Sequence, residues 1–173
     1  KSFRNMETQS NLHNPEFTIL EWYRVGANYM DIMKDCEDLM SFIRPGLLAT
    51  KGQAFLDLTP PWERISVADA FKKWAAIDFD EFLDEKKANI IASKKGYRAE
   101  EGSTWESLYN QIFLNEIEPH LGHRKPMIIY DFPAAMGALA KKKTSDPRFA
   151  ERFEFYIGGL ELGDCYSELT DWK

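Results

Sequence analysis

Apolar and polar positions alternate along the chain in some stretches and recur at helical spacing in others, and the two periods divide it into elements. In "FTILEWYRV", Phe17, Ile19, Glu21 and Tyr23 fall on one side and Thr18, Leu20 and Trp22 on the other. The run is aromatic and β-branched, so a strand is predicted over 17–25. Tyr29, Ile32, Met33, Cys36, Leu39, Met40 and Ile43 then recur at helical spacing and predict an amphipathic helix that stops before Pro45-Gly46. From 45 to 102 the pattern loosens. A Pro60-Pro61 break, a short helix after Ser66 and a charged helical stretch from about Asp80 to Ala92 are read as a helical insertion. At Ser103-Thr104-Trp105-Glu106 a capping box is expected, with the serine accepting from a free amide. The helix it starts turns Trp105, Leu108, Tyr109, Ile112, Phe113 and Ile117 inward and ends near Pro119. "PMIIYDF", Pro126 to Phe132, reads as a short buried strand. Phe153, Phe155 and Ile157 then alternate with Glu154 and Tyr156 up to Gly158-Gly159, after which Leu160 and Leu162 flank Glu161. Paired strands at the ends and helices of uneven length between them predict an α+β domain, an antiparallel sheet flanked by helices.

Composition changes this picture little. A chain of 173 residues, 44% hydrophobic, buries one respectable core. The net charge of -6 gives no basic field for nucleic acid, and Lys94-Lys95 and Lys141-Lys142-Lys143 read as solvated surface. Cys36 and Cys165 lie far apart and fit reduced thiols in a cytoplasmic protein. No apolar run approaches the roughly 18 residues of a membrane span, and no signal peptide is evident. The first residue is Lys1 and the pattern begins in mid-segment, as expected of a piece excised from a longer protein.

Candidate chemistry gathers at the two ends. Glu21 and Tyr23 share a face of the first predicted strand, and Glu154, Glu161 and Glu168 fall in the last segment. An unpaired buried carboxylate costs several kcal/mol, so carboxylates that converge on one face must meet cations. An ammonium ligand, or a divalent metal with nucleotide phosphates, would satisfy them. A half-exposed sheet whose glutamates face water is the alternative. Arg4, His13 and Asn14 in the first module favour the ligand, because they add donors suited to phosphate.

These residues carry a resemblance. "FRNMETQSNLHNPEFTILEWYR", within 2–25, resembles motif 2 of class II aminoacyl-tRNA synthetases of the lysine type, a strand-loop-strand that embraces ATP. "ERFEFYIGGLELGDCYSELTD", 151–171, resembles the strand pair that carries the family's metal and lysine ligands, and "YDFPAAMGALAKK" is similar to its proline-containing strand and turn. Two branches of the family are in view. "LEWYR", "YDFPA" and "ELTD" are more similar to the branch that attaches (R)-β-lysine to a lysine of translation elongation factor P than to the lysyl-tRNA synthetases, whose last run usually ends "LND". A non-catalytic lysine-binding relative is a third possibility.

The resemblance implies ATP and Mg2+ as cofactors, lysine or (R)-β-lysine as substrate, elongation factor P as acceptor, and tRNA in the alternative. It makes Arg4 the catalytic arginine, which holds the α-phosphate and the amino-acid carboxylate. Asn5, Glu7, His13, Asn14, Phe17, Glu161 and Leu162 would line the nucleotide, with Phe17 stacked on adenine. Glu21, Tyr23, Asp164, Tyr166 and Glu168 would line the lysine site, with Glu168 on its ammonium, and Glu154 and Glu161 would hold the metal. The chain departs from the family at Met6, which displaces a glutamate to Glu7 in a loop one residue longer, and at Asp164 and Cys165, where asparagine and glycine are usual. Motif 1, which builds the family's homodimer, is expected before Lys1, and the glycine-rich motif 3 after Lys173. The excised piece alone is therefore expected to be inactive.

Overall fold

The computed structural model describes residues 1–4, 14–48, 56–97 and 103–170, with 45–48 as backbone alone. Two short strands, β1 (Ser2–Phe3) and β2 (Glu16–Phe17), pair antiparallel at the start of the chain. The main sheet has four strands, β3 (Glu63–Ser66), β4 (Met127–Pro133), β5 (Phe149–Ile157) and β6 (Leu160–Tyr166), in that spatial order. β5 runs antiparallel to both β4 and β6, whereas β3 lies parallel to β4.

Both faces of this sheet are covered, and period-two alternation sorts the side chains between them. Met127, Ile129 and Tyr156 meet one layer, formed by α2 (Val67–Ala70), a π-turn (Phe71–Ala75), α3 (Phe79–Phe82), α4 (Glu85–Lys94), α5 (Trp105–Ile112) and a second π-turn (Phe113–Ile117). Ile128, Phe153 and Ile157 meet α1 (Tyr29–Leu48) through Met33 and Cys36, with Leu58 and Trp62 closing that side. The larger core is aromatic: Phe71 packs on Phe79 at 4.7 Å between ring centroids and on Tyr109 at 5.1 Å. Each such fully buried ring contributes about 1.5–3 kcal/mol.

The α+β architecture agrees with the sequence reading, and several details differ from it. The stretch 45–102 is more than a helical insertion, because it supplies β3, a sheet member, and much of the larger core. β3 reads "ERIS", too short and too polar to show a period. α1 runs to Leu48 and does not stop before Pro45. Pro45 has no amide to donate to the Ser41 carbonyl, yet the backbone stays helical through it. Thr104, not Ser103, caps α5 by accepting from the Ser107 amide at 3.2 Å. Of the strand predicted over 17–25, only Phe17 is in a strand. Its alternation supports an extended chain, but a strand also needs a ladder partner, and among the described residues 18–25 has none.

Two local arrangements fix the backbone on either side of the sheet's open end. Gly158 and Gly159, both at positive φ, turn β5 back into β6. A Cβ on Gly159 would lie 2.5 Å from the His123 ring, so a larger residue there would also have to displace that ring. The start of α1 is fixed by a reciprocal cap: the Met30 amide donates to Asn28 Oδ1 at 2.8 Å, and the Asn28 amide donates to Asp31 Oδ2 at 2.9 Å. Arg24 pairs with Asp35 at 2.7 Å and ties the preceding segment to the helix.

Candidate functional site

An open cleft of about 1470 Å³ runs between the extended segment 18–28, the first half of α1, and β6 with the residues after it. A drug-sized ligand occupies roughly 300–1,000 Å³, so the space admits two small substrates side by side.

From the start of the chain Arg4, Asn14, Phe17, Glu21 and Tyr23 line this cleft, and from the end Glu161, Leu162, Asp164, Tyr166 and Glu168. Residues more than a hundred positions apart thus share one space. Arg4 stands with its guanidinium carbon 5.5 Å from the centre of the Phe17 ring, and its amide donates to the Pro15 carbonyl at 3.0 Å. Tyr23 and Glu21 are exposed on the extended wall. Asn5, Glu7 and His13 lie outside the described residues, as do Met6 and Asp171.

Glu154 takes a different place, buried at 8% exposure on β5 beside β6 and off the cleft lining. Tyr156 pairs with Glu161 and Glu154 with Asp164, the extra residue at Leu162 being absorbed by a bulge. Directly opposed residues share a face, so three carboxylates and the Tyr156 hydroxyl crowd one patch. Arg152, two positions before Glu154 on the same face, answers them. Its Nη2 donates to Glu154 Oε1 at 2.9 Å and lies 3.7 Å from Asp164 Oδ2, while Nη1 donates to the Met136 carbonyl. Its guanidinium carbon sits 4.9 Å from the centre of the Phe132 ring. The Tyr156 hydroxyl donates to Glu154 Oε2 at 3.0 Å. Sequence reasoning sought the cation for these glutamates in a ligand and overlooked Arg152, although its period-two spacing from Glu154 was the available signal.

The charges remain unbalanced. Burial first, and the Glu161 carboxylate second, push the Glu154 carboxyl up to about 7 against Arg152 and the Tyr156 hydrogen bond. Glu161 is also raised, by desolvation and then by Asp164, while Arg152 and Arg4 oppose the shift. Tyr109, fully buried nearby, holds its proton more tightly than an ordinary phenol, chiefly through burial and then through Glu154. Among the described residues no group of three or more His, Cys, Asp or Glu is arranged to hold a metal ion by itself. Mg2+ asks less, since one or two carboxylates suffice when substrate phosphates complete its shell. Glu161, which lines the cleft beside Asp164, suits that arrangement. Glu154 has both oxygens committed to Arg152 and Tyr156.

Lys141, Glu151, Glu118 and His123 also line the cleft and carried no functional signal in the sequence. Glu151 stands on β5, and the others reach the cleft from a short helix or from connecting segments whose placement only the tertiary fold decides. Cys36 and Cys165 line it as well, both as free thiols. Among the described residues no helix is long and apolar enough to cross a membrane.

Comparison with known proteins places the chain in a family. The model for tRNA synthetases class II (D, K and N) matches residues 1–173. A lysine–tRNA ligase of Moorella thermoacetica is 39% identical over 173 residues, covering 98% of this chain and 35% of the relative. Lysine–tRNA ligases of Dehalococcoides mccartyi and Bacillus subtilis are each 38% identical, over 98% of this chain and 34% of theirs. The chain spans about a third of the length of these relatives.

Proposed function

Because the chain belongs to the class II tRNA synthetase family (D, K and N), we propose that the full-length protein activates lysine with ATP and transfers it to tRNA. The observation that carries this reading is the single cleft in which Arg4 and Phe17 share a wall system with Glu21, Tyr23 and Glu168. A cation beside an aromatic ring suits a nucleotide, and exposed carboxylates suit an ammonium group. Relatives at 38–39% identity are lysine–tRNA ligases, which supports the same substrate pair.

In this mechanism one carboxylate oxygen of lysine attacks the α-phosphorus in line. The new P–O bond forms as the bond to pyrophosphate breaks, giving an aminoacyl-adenylate. Arg4 holds the α-phosphate and the attacking carboxylate together, and its charge opposes the charge that develops on the phosphorus oxygens. Phe17 stacks on adenine, with Asn14 and Leu162 beside the nucleotide, and Asn5, Glu7 and His13 are assigned to the same region. Glu21, Tyr23, Asp164 and Tyr166 surround the amino acid, and Glu168 pairs with its side-chain ammonium. Mg2+ held by Glu161 with Glu154 would neutralise phosphate charge, which requires Glu154 to release its internal partners. A nucleophile on the acceptor then attacks the carbonyl carbon and AMP departs.

A second reading differs only in the acceptor. "LEWYR", "YDFPA" and "ELTD" support an amine of elongation factor P as the nucleophile and (R)-β-lysine as the amino acid. Incubation of the full-length protein with labelled lysine or β-lysine, ATP and either acceptor separates the two.

Amino-acid-dependent exchange of pyrophosphate into ATP tests what both readings share. Exchange is expected with lysine or its β-isomer, and Arg4→Ala should lower it by about 10²-fold or more. Glu168→Gln should raise the KM for the amino acid by about 10²-fold while that for ATP stays within a few-fold. Absence of exchange with both isomers would sink the proposal.

A further inference from the structure

The wall of the cleft that bears Glu168 is not part of β6. It belongs to a short run after the strand, tied directly to β5 by the Ser167 amide, which donates to the Glu151 carbonyl at 2.9 Å, and held by two further sets of bonds that lead back to one residue, Asp131. The first set is a strap, Leu139 to Lys143. The Lys141 amide donates to the Ser167 carbonyl at 2.8 Å and the Leu169 amide to the Leu139 carbonyl at 2.9 Å, with Ala140 opposite Glu168. On its other side the strap is pinned to β5, because the Glu151 amide donates to the Lys141 carbonyl and the Lys143 amide to that of Phe149. The second set comes from α1, whose Tyr29 amide donates to Ser167 Oγ at 3.0 Å.

Asp131 joins these two holds. Its Oδ1 accepts from the Tyr29 hydroxyl at 2.7 Å, and its Oδ2 pairs with the Lys143 ammonium. Asp131 is buried, at 8% exposure, with φ of 61° where the β4–β5 register slips. A buried carboxylate and a left-handed backbone are each costly for a strand residue, and packing alone asks for neither. The bulge turns the side chain toward α1, and a carboxylate with two acceptor oxygens can hold both arms at once. Burial, and then the hydrogen bond to Asp131, raise the Tyr29 phenol well above its ordinary value, so it remains a donor.

We propose that Asp131 is a positioning residue: by clamping Tyr29 and Lys143 it fixes Ser167 and so sets where the Glu168 carboxylate meets the substrate ammonium. The role in substrate placement rests on the lysine reading of the cleft, whereas the clamp itself rests on the bond pattern alone. Neither Asp131 nor Tyr29 lines the cleft, so any effect on substrate must pass through the clamp.

Two variants of the full-length protein test it. Asp131→Asn keeps the size, tolerates the same φ and still accepts from Tyr29, but loses the charge that holds Lys143. Tyr29→Phe removes the other arm. Either change should speed hydrogen exchange at the amides of Lys141 and Leu169 by about tenfold or more, while Ile129 and Phe155 in the β4–β5 ladder keep their rates. In pyrophosphate exchange, either should raise the KM for lysine by about tenfold and leave that for ATP within about twofold. Unchanged exchange at Lys141 and Leu169 would overturn the clamp, as would equal acceleration throughout the sheet. Faster exchange at those amides with both KM values unmoved, or rising together, would overturn its role in substrate placement. If wild-type protein shows no lysine-dependent reaction while the amides respond as expected, the clamp is supported and the lysine reading fails.

Discussion

Cys36 and Cys165 sit across the apolar side of the sheet from the carboxylates, and their surroundings set how they react. Burial, and then the neighbouring Cys165 thiol, push Cys36 up to about 12. Burial, and then the Asp164 carboxylate, push Cys165 up to about 11. Both values lie above that of a thiol in an unfolded chain, so folding holds these protons. The associated stability is fully present below about pH 9 and is lost as pH rises through about 11 to 12. At pH 8, alkylation of Cys165 by iodoacetamide should run about a hundredfold slower than that of free cysteine, because the thiolate is that much scarcer. Mass spectrometry across pH 7 to 11 checks this, and a rate that levels off below pH 9 would contradict it. Which residues could bear charge was legible in the sequence, since Glu154 and Glu161 stand among aromatic and aliphatic neighbours in "FEFYI" and "LEL". Which charges answer them was not. Asp131 acts through contacts between distant segments, about which spacing along one strand says nothing, whereas Arg152 stands two positions from Glu154 on the same strand and was overlooked.

Among the elements, loops show how far local geometry decides stability. Gly122 and Gly96 both have positive φ, yet a Cβ on Gly122 would lie 2.5 Å from the Tyr156 carbonyl oxygen, whereas one on Gly96 meets nothing within 4 Å. Gly96→Ala should therefore cost about 1 kcal/mol from backbone strain alone, and Gly122→Ala about 2 kcal/mol or more, because a sheet backbone cannot yield. Urea unfolding midpoints at constant slope measure the difference, and equal losses would show that the loop before β4 moves freely. Elements with a strong period were legible in the sequence: α1, α5, β4, and the β5–β6 hairpin with its Gly158-Gly159 turn. The errors fall where tertiary structure overrules a local signal. The 17–25 segment has a strand's alternation without a strand's partner. β3 has a partner without the alternation, because an edge strand of four residues leaned on by helices needs little hydrophobic pattern of its own.

For the molecule as a whole, an antiparallel sheet flanked by helices was legible in the sequence, and the structure covers that sheet on both faces, in keeping with "MIIY" and "FEFYI", neither side of which is polar throughout. The position of β3 in that sheet was not legible, and it bears on the order of assembly. β5 and β6 are joined by two residues, so their ladder can close within about 1–10 μs. Glu63 pairs with Met127, so β3 meets β4 only after about sixty intervening residues have been drawn in, and those residues form the helical layer. Loop closure grows costlier by about 0.6 kcal/mol with each doubling of length, and a parallel pair gains no hairpin to offset it. The helical layer must therefore be largely compact before β3 can dock. In refolding from urea, pulsed hydrogen labelling should find the β5–β6 amides protected first and those of residues 63–66 last. Simultaneous protection of both would mean that this edge strand assembles in a single step with the rest. If the order holds, the exposed flank of β4 is the surface that the folding chain leaves open longest, and an extended segment of another chain would have that interval in which to pair with it.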